Sequence, residues 1–126
     1  MIVCAVFQLP EVKVAVAGAT VEVWDVATGQ ERLRLESCAS AIVFPATFSP
    51  DGSLVAYSCQ DGSVHINDAK SGRLLYSIAA HTADVFGLQF DPGGGFLACA
   101  SFDGTGSIID LATGEVCHVL EGHTDK

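Results

Sequence analysis

The stretches FSPDG at residues 48–52 and FDPGG at residues 90–94 repeat one Phe-x-Pro-x-Gly corner 42 positions apart. Each corner is followed by an apolar run, a turn that contains Asp-Gly, and a second apolar run. Recurrence at a period of roughly 20 to 50 residues is the usual mark of a repeat architecture. The repeat therefore has to be defined before any residue is given a function.

Three other markers recur with spacings of 41 to 43 positions: a phenylalanine, a residue pair that ends in Asp, and a turn glycine. They are Phe7, Phe48 and Phe90; the pairs at 24–25, 67–68 and 109–110; and Gly29, Gly72 and Gly114. Because the three series keep the same register, three units fill the chain of 126 residues.

Each unit contains short apolar segments that are separated by tight turns with a glycine. In the second unit the segments are AIVFPATF, SLVAYSC, SVHINDA and RLLYSIA, at residues 41–48, 53–59, 63–69 and 73–79. Their length and their turn residues are typical of β-strands, and no long amphipathic helix can be drawn. The sequence predicts an all-β fold with four antiparallel strands in each unit.

The order of these motifs resembles the WD-repeat family of β-propellers: FSPDG, then Asp-Gly, then Trp-Asp or its remnant, then Ala-Thr-Gly, then Gly-His or Ala-His. Trp-Asp itself occurs once, at Trp24 and Asp25, and Asn67 and Ile109 replace the tryptophan in the later units. The resemblance implies a single propeller segment over residues 1–126. Its blades are expected at about 1–38, 39–80 and 81–122, with 123–126 beginning a further repeat.

The resemblance also implies a structural hydrogen-bond network in each blade, made by a histidine, a serine or threonine on the second strand, the turn aspartate and the tryptophan. In the third blade His81, Ser101 and Asp103 match this pattern, and Ile109 replaces the last member. The same three residue types form hydrolytic triads. However, the serine lies in the apolar run LACAS without a G-x-S-x-G elbow, which favours a structural role.

The other blades match the network less well. In the second blade only Asp61 matches, because Ala39, Cys59 and Asn67 stand at the other positions, so we expect the network to be largely absent there. Trp24 is the tryptophan member of the network in the first blade, and His123 would be the histidine member for a following blade.

Composition and charge exclude several partners and sites. A formal net charge of −9 disfavours nucleic acid and acidic membranes, and no window holds the roughly 18 apolar residues of a spanning helix. Five cysteines without a C-x-x-C pair are expected to be buried free thiols in a reducing compartment, which predicts a cytoplasmic protein. The sequence predicts no catalytic residue, no cofactor and no metal site.

The resemblance places five residues on the face of the propeller where partners usually dock. Gln60 and Phe102 precede the turn aspartates, and Phe44, Asp84 and Phe86 lie at the starts of first strands. A large aromatic residue at a turn tip either packs the loop or anchors a partner, and for Phe102 both interpretations are open.

These observations predict a non-catalytic scaffold that binds a partner protein or peptide. The alternatives are an enzyme or small-ligand binder with a site at the propeller centre, or the propeller part of a longer multidomain regulatory protein. A central site needs convergent polar groups, and the inner strands AIVFPATF and DVFGLQF offer few.

Three blades make an open wedge, so other copies or flanking repeats must complete it. The repeat is in phase across the ends of the chain, because Gly114 is 41 positions from the Gly29 of a following copy. The phase predicts a head-to-tail ring, either a dimer of six blades or a trimer of nine. A longer propeller cut at a repeat boundary would produce the same phase.

Overall fold

The computed structural model describes residues 2–7, 12–17, 21–25, 28–35, 46–59 and 61–121. Within these ranges the chain forms strands and turns and contains no helix, which confirms the predicted all-β fold. The strands belong to three four-stranded antiparallel sheets, as expected for three blades of a WD-repeat propeller. The blade boundaries near residues 38 and 80 stay predictions.

Each sheet is a simple meander in which strands adjacent in sequence are also adjacent in space. The first blade contains β1 (Ile2–Phe7), β2 (Val12–Ala17), β3 (Val21–Asp25) and β4 (Gln30–Leu35). The second contains β5 (Thr47–Phe48), β6 (Leu54–Ser58), β7 (Val64–Asp68) and β8 (Leu74–Ile78). The third contains β9 (Val85–Phe90), β10 (Phe96–Ser101), β11 (Gly106–Asp110) and β12 (Glu115–Leu120).

The repeat extends to the irregularities of the sheets. Each blade has a register shift between its third and fourth strands, at Val23/Trp24, Ile66/Asn67 and Ile108/Ile109. A β-bulge at this point increases the local twist of the strand pair. The three blades therefore share register as well as strand order, and residues at matching positions can be compared directly.

The turns between the second and third strands depend on glycine. Gly62 and Gly104 follow the turn aspartates, and both have a positive φ, 88° and 89°. A residue with a Cβ pays a steric penalty in this left-handed region, whereas glycine does not. The two turns differ in their surroundings, because a Cβ on Gly62 would meet the backbone carbonyl of His81, while Gly104 has nothing within 4 Å.

The blades stack through their first strands, since β5 lies against both β1 and β9. Among the described residues, an apolar core cluster fills the space between the second and third blades. Its buried members are Ala56, Val64, Ile66, Val85, Phe90, Leu97, Cys99 and Ile109. Side chains of a strand alternate between the two faces of its sheet, so each blade can pack on two neighbours.

The prediction of buried free thiols is wrong at two positions. Cys59 is buried but disulfide-bonded, and Cys117 is free but exposed, whereas Cys99 is a buried free thiol. The prediction rested on short sequence spacing, but a disulfide can join residues that are distant in the chain and meet only in the fold. Burial raises the pKa of the Cys99 thiol to about 11, partly offset by a hydrogen bond with Ser107.

Candidate functional site

The β10–β11 turn of the third blade is organised around the carboxylate of Asp103. Its Oδ1 accepts hydrogen bonds from the backbone N–H of Thr105 at 2.9 Å and from the Thr105 hydroxyl at 2.6 Å. Its Oδ2 lies 3.0 Å from Nδ1 of His81 and accepts the backbone N–H of Thr82 at 3.1 Å. The aspartate thus joins its own turn to the segment that leads into β9.

His81 carries this network into the blade interior. Its side chain is 1% exposed, and its Nε2 lies 2.9 Å from the hydroxyl of Ser107, which is also buried. Because an ionised carboxylate only accepts, Nδ1 carries the proton, and in the neutral ring Nε2 accepts from Ser107. Ser107 in turn is hydrogen-bonded to Cys99, so the network runs from Asp103 through His81 and Ser107 to Cys99.

The serine that contacts His81 is therefore Ser107 on β11, and the sequence prediction had placed Ser101 in this role. Ser101 Oγ lies 3.1 Å from the carbonyl of Ala83 and 3.0 Å from that of Asp84, and it accepts the N–H of Asp103 at 3.1 Å. The sequence contained a usable signal, because Ser107 and Ile109 are two positions apart on β11 and therefore share one face of the sheet.

The electrostatics favour an ionised Asp103. Partial burial raises the pKa of its carboxyl, but hydrogen bonds from Thr105, Thr82 and His81 outweigh this effect and hold the pKa well below its usual range. A carboxylate with four donors is a stable structural acceptor. Ser107 is 1% exposed and hence out of reach of a substrate, so this constellation holds the blade together and offers no nucleophile to solvent.

The second blade uses a different polar cluster at the equivalent place. The Oδ1 of Asp61 accepts both the N–H and the hydroxyl of Ser63, at 2.9 and 2.6 Å. Ser63 Oγ is 3.1 Å from Nε2 of His65, whose ring stacks on Tyr57 with centroids 5.4 Å apart. His65 was not predicted from the sequence. It supplies an imidazole from the strand itself, whereas the third blade receives one from the preceding loop.

His65 is buried, and desolvation lowers the pKa of its imidazole, although the charge of Asp61 opposes this shift. Its Nδ1 and the Oδ1 of Asn67 are buried and have no hydrogen-bond partner within the described part of the chain. A buried imidazole without a second acceptor is destabilised when it becomes charged. Protonation of His65 should therefore destabilise the second blade.

An aromatic pair marks the rim of the third blade. Phe102 at the turn tip is 70% exposed and Phe86 on β9 is 43% exposed. Their ring centroids are 4.7 Å apart at an interplanar angle of 44°. Two hydrogen bonds fix the turn that contains Phe102. The Phe102 N–H donates to the carbonyl of Asp84 at 2.9 Å, and the Ser101 hydroxyl donates to the same carbonyl.

The remaining predicted contact residues are only partly described. Asp84 is half-buried at the base of the aromatic pair. Gln60 and Phe44, and the predicted network residue His123, lie outside the described residues. Trp24 is half-buried on β3. The structure thus brings Asp84, Phe86 and Phe102 together on one rim.

No group of three or more metal-ligating side chains occurs among the described residues, and no helix within them is long and apolar enough to cross a bilayer. A cavity of about 190 Å³ opens on the face of the third blade that points away from the second. Its lining is mostly apolar and includes Phe90, Pro92, Phe96, Ala98 and Ile108. It belongs to the blade face and lies apart from the aromatic rim.

The fold and the network together define a segment of a WD-type propeller, and comparisons with known proteins agree. The family model described as the WD domain, G-beta repeat, matches residues 72–110. The model of the anaphase-promoting complex subunit 4 WD40 domain matches residues 20–86, more than half of the chain. The chain therefore belongs to the WD-repeat family.

Two relatives are Coronin-7 from Mus musculus, 42% identical over 55 residues, and Coronin-7 from Homo sapiens, 40% identical over 53 residues. The matched regions cover 44% and 42% of this chain. In both cases the match spans only 6% of the length of the relative. The similarity is therefore between repeat units of the two proteins and does not extend over their whole length.

Proposed function

We propose that this protein is a non-catalytic interaction module that binds a partner protein or peptide through the rim formed by Asp84, Phe86 and Phe102. The observation that carries the proposal is the exposed aromatic pair, with 43% and 70% of the two residues open to solvent. Aromatic residues are enriched at the energetic centres of protein interfaces. WD-repeat domains typically serve as protein-interaction scaffolds, which supports the same conclusion.

The rim is preorganised for binding. The Phe102 backbone is fixed by its hydrogen bond to Asp84, and the Ser101 hydroxyl ties the turn to the start of β9. A partner that docks on Phe102 therefore does not have to order the loop first. Because less conformational entropy is lost on binding, a rigid turn tip makes a better anchor than a flexible one.

Charge suggests the chemistry of the partner. The chain carries a formal net charge of −9, and Asp84 places a carboxylate two positions from Phe86. A lysine or arginine side chain can meet an aromatic face and a carboxylate together, combining cation–π and ionic attraction. We propose that the partner segment is basic and contains an apolar residue that covers the exposed face of Phe102.

The proposal is tested with a displayed library of random peptides selected against the immobilised chain. Peptides that bind should be enriched in Lys and Arg, and Phe86→Ala and Phe102→Ala should each reduce their capture. Both variants should keep nearly the wild-type melting temperature. A fall of several degrees in melting temperature would mean that the rings pack the loop instead. If neither substitution reduced peptide capture, the rim would not be the binding site.

The proposal has a second part that concerns assembly. We propose that the three blades are completed by other copies in a head-to-tail ring, with six blades in a dimer or nine in a trimer. A heterologous contact of this kind can close into a ring when each chain offers two complementary ends. The rim lies on the turn tips and stays accessible in such a ring, so the two parts of the proposal are independent.

A further inference from the structure

The turn aspartates of the second and third blades stand at matching positions but differ in how fully the protein uses their carboxylates. Asp103 accepts two hydrogen bonds on each oxygen, and 14% of its side chain is exposed. Asp61 is exposed and accepts both of its bonds from Ser63 on Oδ1. Its Oδ2 accepts no hydrogen bond from a described residue. An unused carboxylate oxygen therefore lies at the surface of the second blade.

The sequence accounts for this difference between the two blades. In the third blade, Nδ1 of the loop residue His81 lies 3.0 Å from Oδ2 of the turn aspartate. The chain has Ala39 at the matching position 42 residues earlier, and an alanine side chain offers no hydrogen-bond donor. The imidazole of the second blade is that of His65, and it contacts Ser63. Because the loop histidine is missing, the carboxylate of Asp61 stays available to another molecule.

The Asp61 carboxylate is charged and lies far from the nearest described cations. Hydrogen bonds from the hydroxyl and the N–H of Ser63 hold the pKa of the Asp61 carboxyl below its usual value, so the group is ionised at neutral pH. Within residues 46–59 and 61–121, the lysine and arginine residues are Lys70 and Arg73, in the turn at the other end of β7. The five residues of β7 span about 17 Å, whereas physiological salt screens charges over about 8 Å. These cations therefore do not neutralise Asp61.

The turn that contains Asp61 adjoins the aromatic rim through residues 81–84. A Cβ built on Gly62 would lie 3.0 Å from the carbonyl oxygen of Ala83, so this turn contacts the segment closely. The Ser101 hydroxyl, from the turn of the third blade, lies 3.1 Å from the same carbonyl oxygen. One carbonyl group is therefore flanked by both turns, and the two turns are neighbours.

The surface formed by these two turns combines charge with an exposed aromatic ring. Asp61 is exposed on one turn, and Phe102 on the other is 70% exposed. The half-buried Asp84 belongs to the segment between them, and its backbone carbonyl accepts the Phe102 N–H at 2.9 Å. The surface lies between the second and third blades and does not include the outer face of the third. Its charge and its aromatic ring complement a segment that carries a cation and an apolar side chain.

We propose that Asp61 is a second anchor of the interaction site, where a lysine or arginine of the partner segment binds while an apolar residue of that segment covers Phe102. The proposal rests on the binding function proposed above and extends its site from the third blade to the second. The free oxygen of Asp61 accepts a charge-assisted hydrogen bond from the cation. A partner segment without a cation in reach of Asp61 loses this bond, so Asp61 contributes to specificity.

Asp61→Asn tests this contact, because it keeps an oxygen for the bonds from Ser63 and removes the charge. The probes are the basic peptides selected on the wild-type chain, and their affinity is measured by fluorescence anisotropy at several salt concentrations. We expect the affinity to fall about three- to fivefold, as for the loss of an exposed ion pair. Added salt should then weaken binding less than in the wild type. An unchanged affinity with an unchanged salt dependence would refute the role of Asp61.

Asp51→Asn is the matched control for the loss of one negative charge. Asp51 is exposed in the same blade, in the corner at the opposite end of β6 from Asp61. Its Oδ1 accepts hydrogen bonds from Ser49 and Ser53, so asparagine can keep them. We expect this variant to bind the peptides like the wild type. A loss equal to that of Asp61→Asn would indicate an effect of net charge and would contradict the proposal.

A double-mutant cycle identifies the cation that Asp61 contacts. Each lysine or arginine of a selected peptide is replaced by glutamine and tested against the wild type and Asp61→Asn. One replacement should weaken binding to the wild type about threefold or more and have little effect on Asp61→Asn, because both changes remove the same pair. Additive losses at every cation would refute the contact.

The two proposals fail in different ways. If Phe102→Ala reduced peptide capture and Asp61→Asn did not, the rim would stand as the binding site and the contact with Asp61 would be wrong. If neither substitution reduced capture, or if the wild-type chain selected no peptide, both proposals would be wrong.

Discussion

The Asp103 network leads to a prediction in which two aspartates at matching positions respond differently to the same substitution. Asp103 accepts two hydrogen bonds on each carboxylate oxygen. Asp61 accepts both of its bonds from Ser63 on Oδ1 alone. An asparagine keeps one carbonyl oxygen and replaces the other oxygen by a donor. Asp61→Asn can therefore keep its bonds, whereas Asp103→Asn loses those on Oδ2.

The size of the destabilisation depends on the groups that the new side-chain amide would contact. In Asp103→Asn its N–H groups would point at the N–H of Thr82 and at Nδ1 of His81, whose side chain is 1% exposed. Hydrogen bonds to charged groups contribute about 1.5 to 3 kcal/mol each, and 14% exposure of the Asp103 side chain lets water recover part of the loss. We expect a loss of about 2 to 3 kcal/mol in unfolding free energy, against less than about 1 kcal/mol for Asp61→Asn.

Urea unfolding followed by far-ultraviolet circular dichroism, at matched protein concentrations, measures both variants. The pH supplies a second check. The folded-state pKa of Asp103 lies below the unfolded value of 3.8, so its contribution is fully present above that value. The contribution disappears as the pH falls through the folded-state pKa, and the gap between wild type and Asp103→Asn should close there. Equal losses in the two variants, or a gap that persists in acid, would refute this reasoning.

Three other predictions concern the turns, the buried histidine and the rim. Gly104→Ala should lower the unfolding free energy by about 1 to 2 kcal/mol, because alanine is strained at the positive φ of this position. Gly62→Ala should lower it by more, because a backbone carbonyl occupies the place of the new Cβ. Thermal melts compare the two variants. The pKa of His65 in the folded state is below 6.5, so the unfolding free energy of the wild type should decrease as the pH falls below 6.5. In His65→Gln this dependence of stability on pH should be lost. Urea titrations at several pH values measure it. Ser101→Ala should speed hydrogen exchange at the Phe102 amide several-fold, because the hydroxyl that fixes the turn is gone; an unchanged rate would contradict its positioning role.

The sequence alone determined the repeat, the strand order and the turns. These features are local, since a glycine at positive φ and a period of two along each strand act within a few residues. Within the described residues, the four strands of each blade pair with their neighbours in sequence. A meander of this kind needs no long-range information, and for this reason the markers spaced by about 42 positions were sufficient.

The tertiary structure decided which side chains meet between those local elements. Ser101 and Ser107 are both serines near the same turn, but His81 contacts Ser107, whereas the Ser101 hydroxyl bonds the carbonyls of Ala83 and Asp84. In the same way, Ala56 and Ala98 are identical residues at matching positions, and one is buried while the other is exposed. Burial depends on whether another blade covers the sheet, and no pattern within a single strand contains that information.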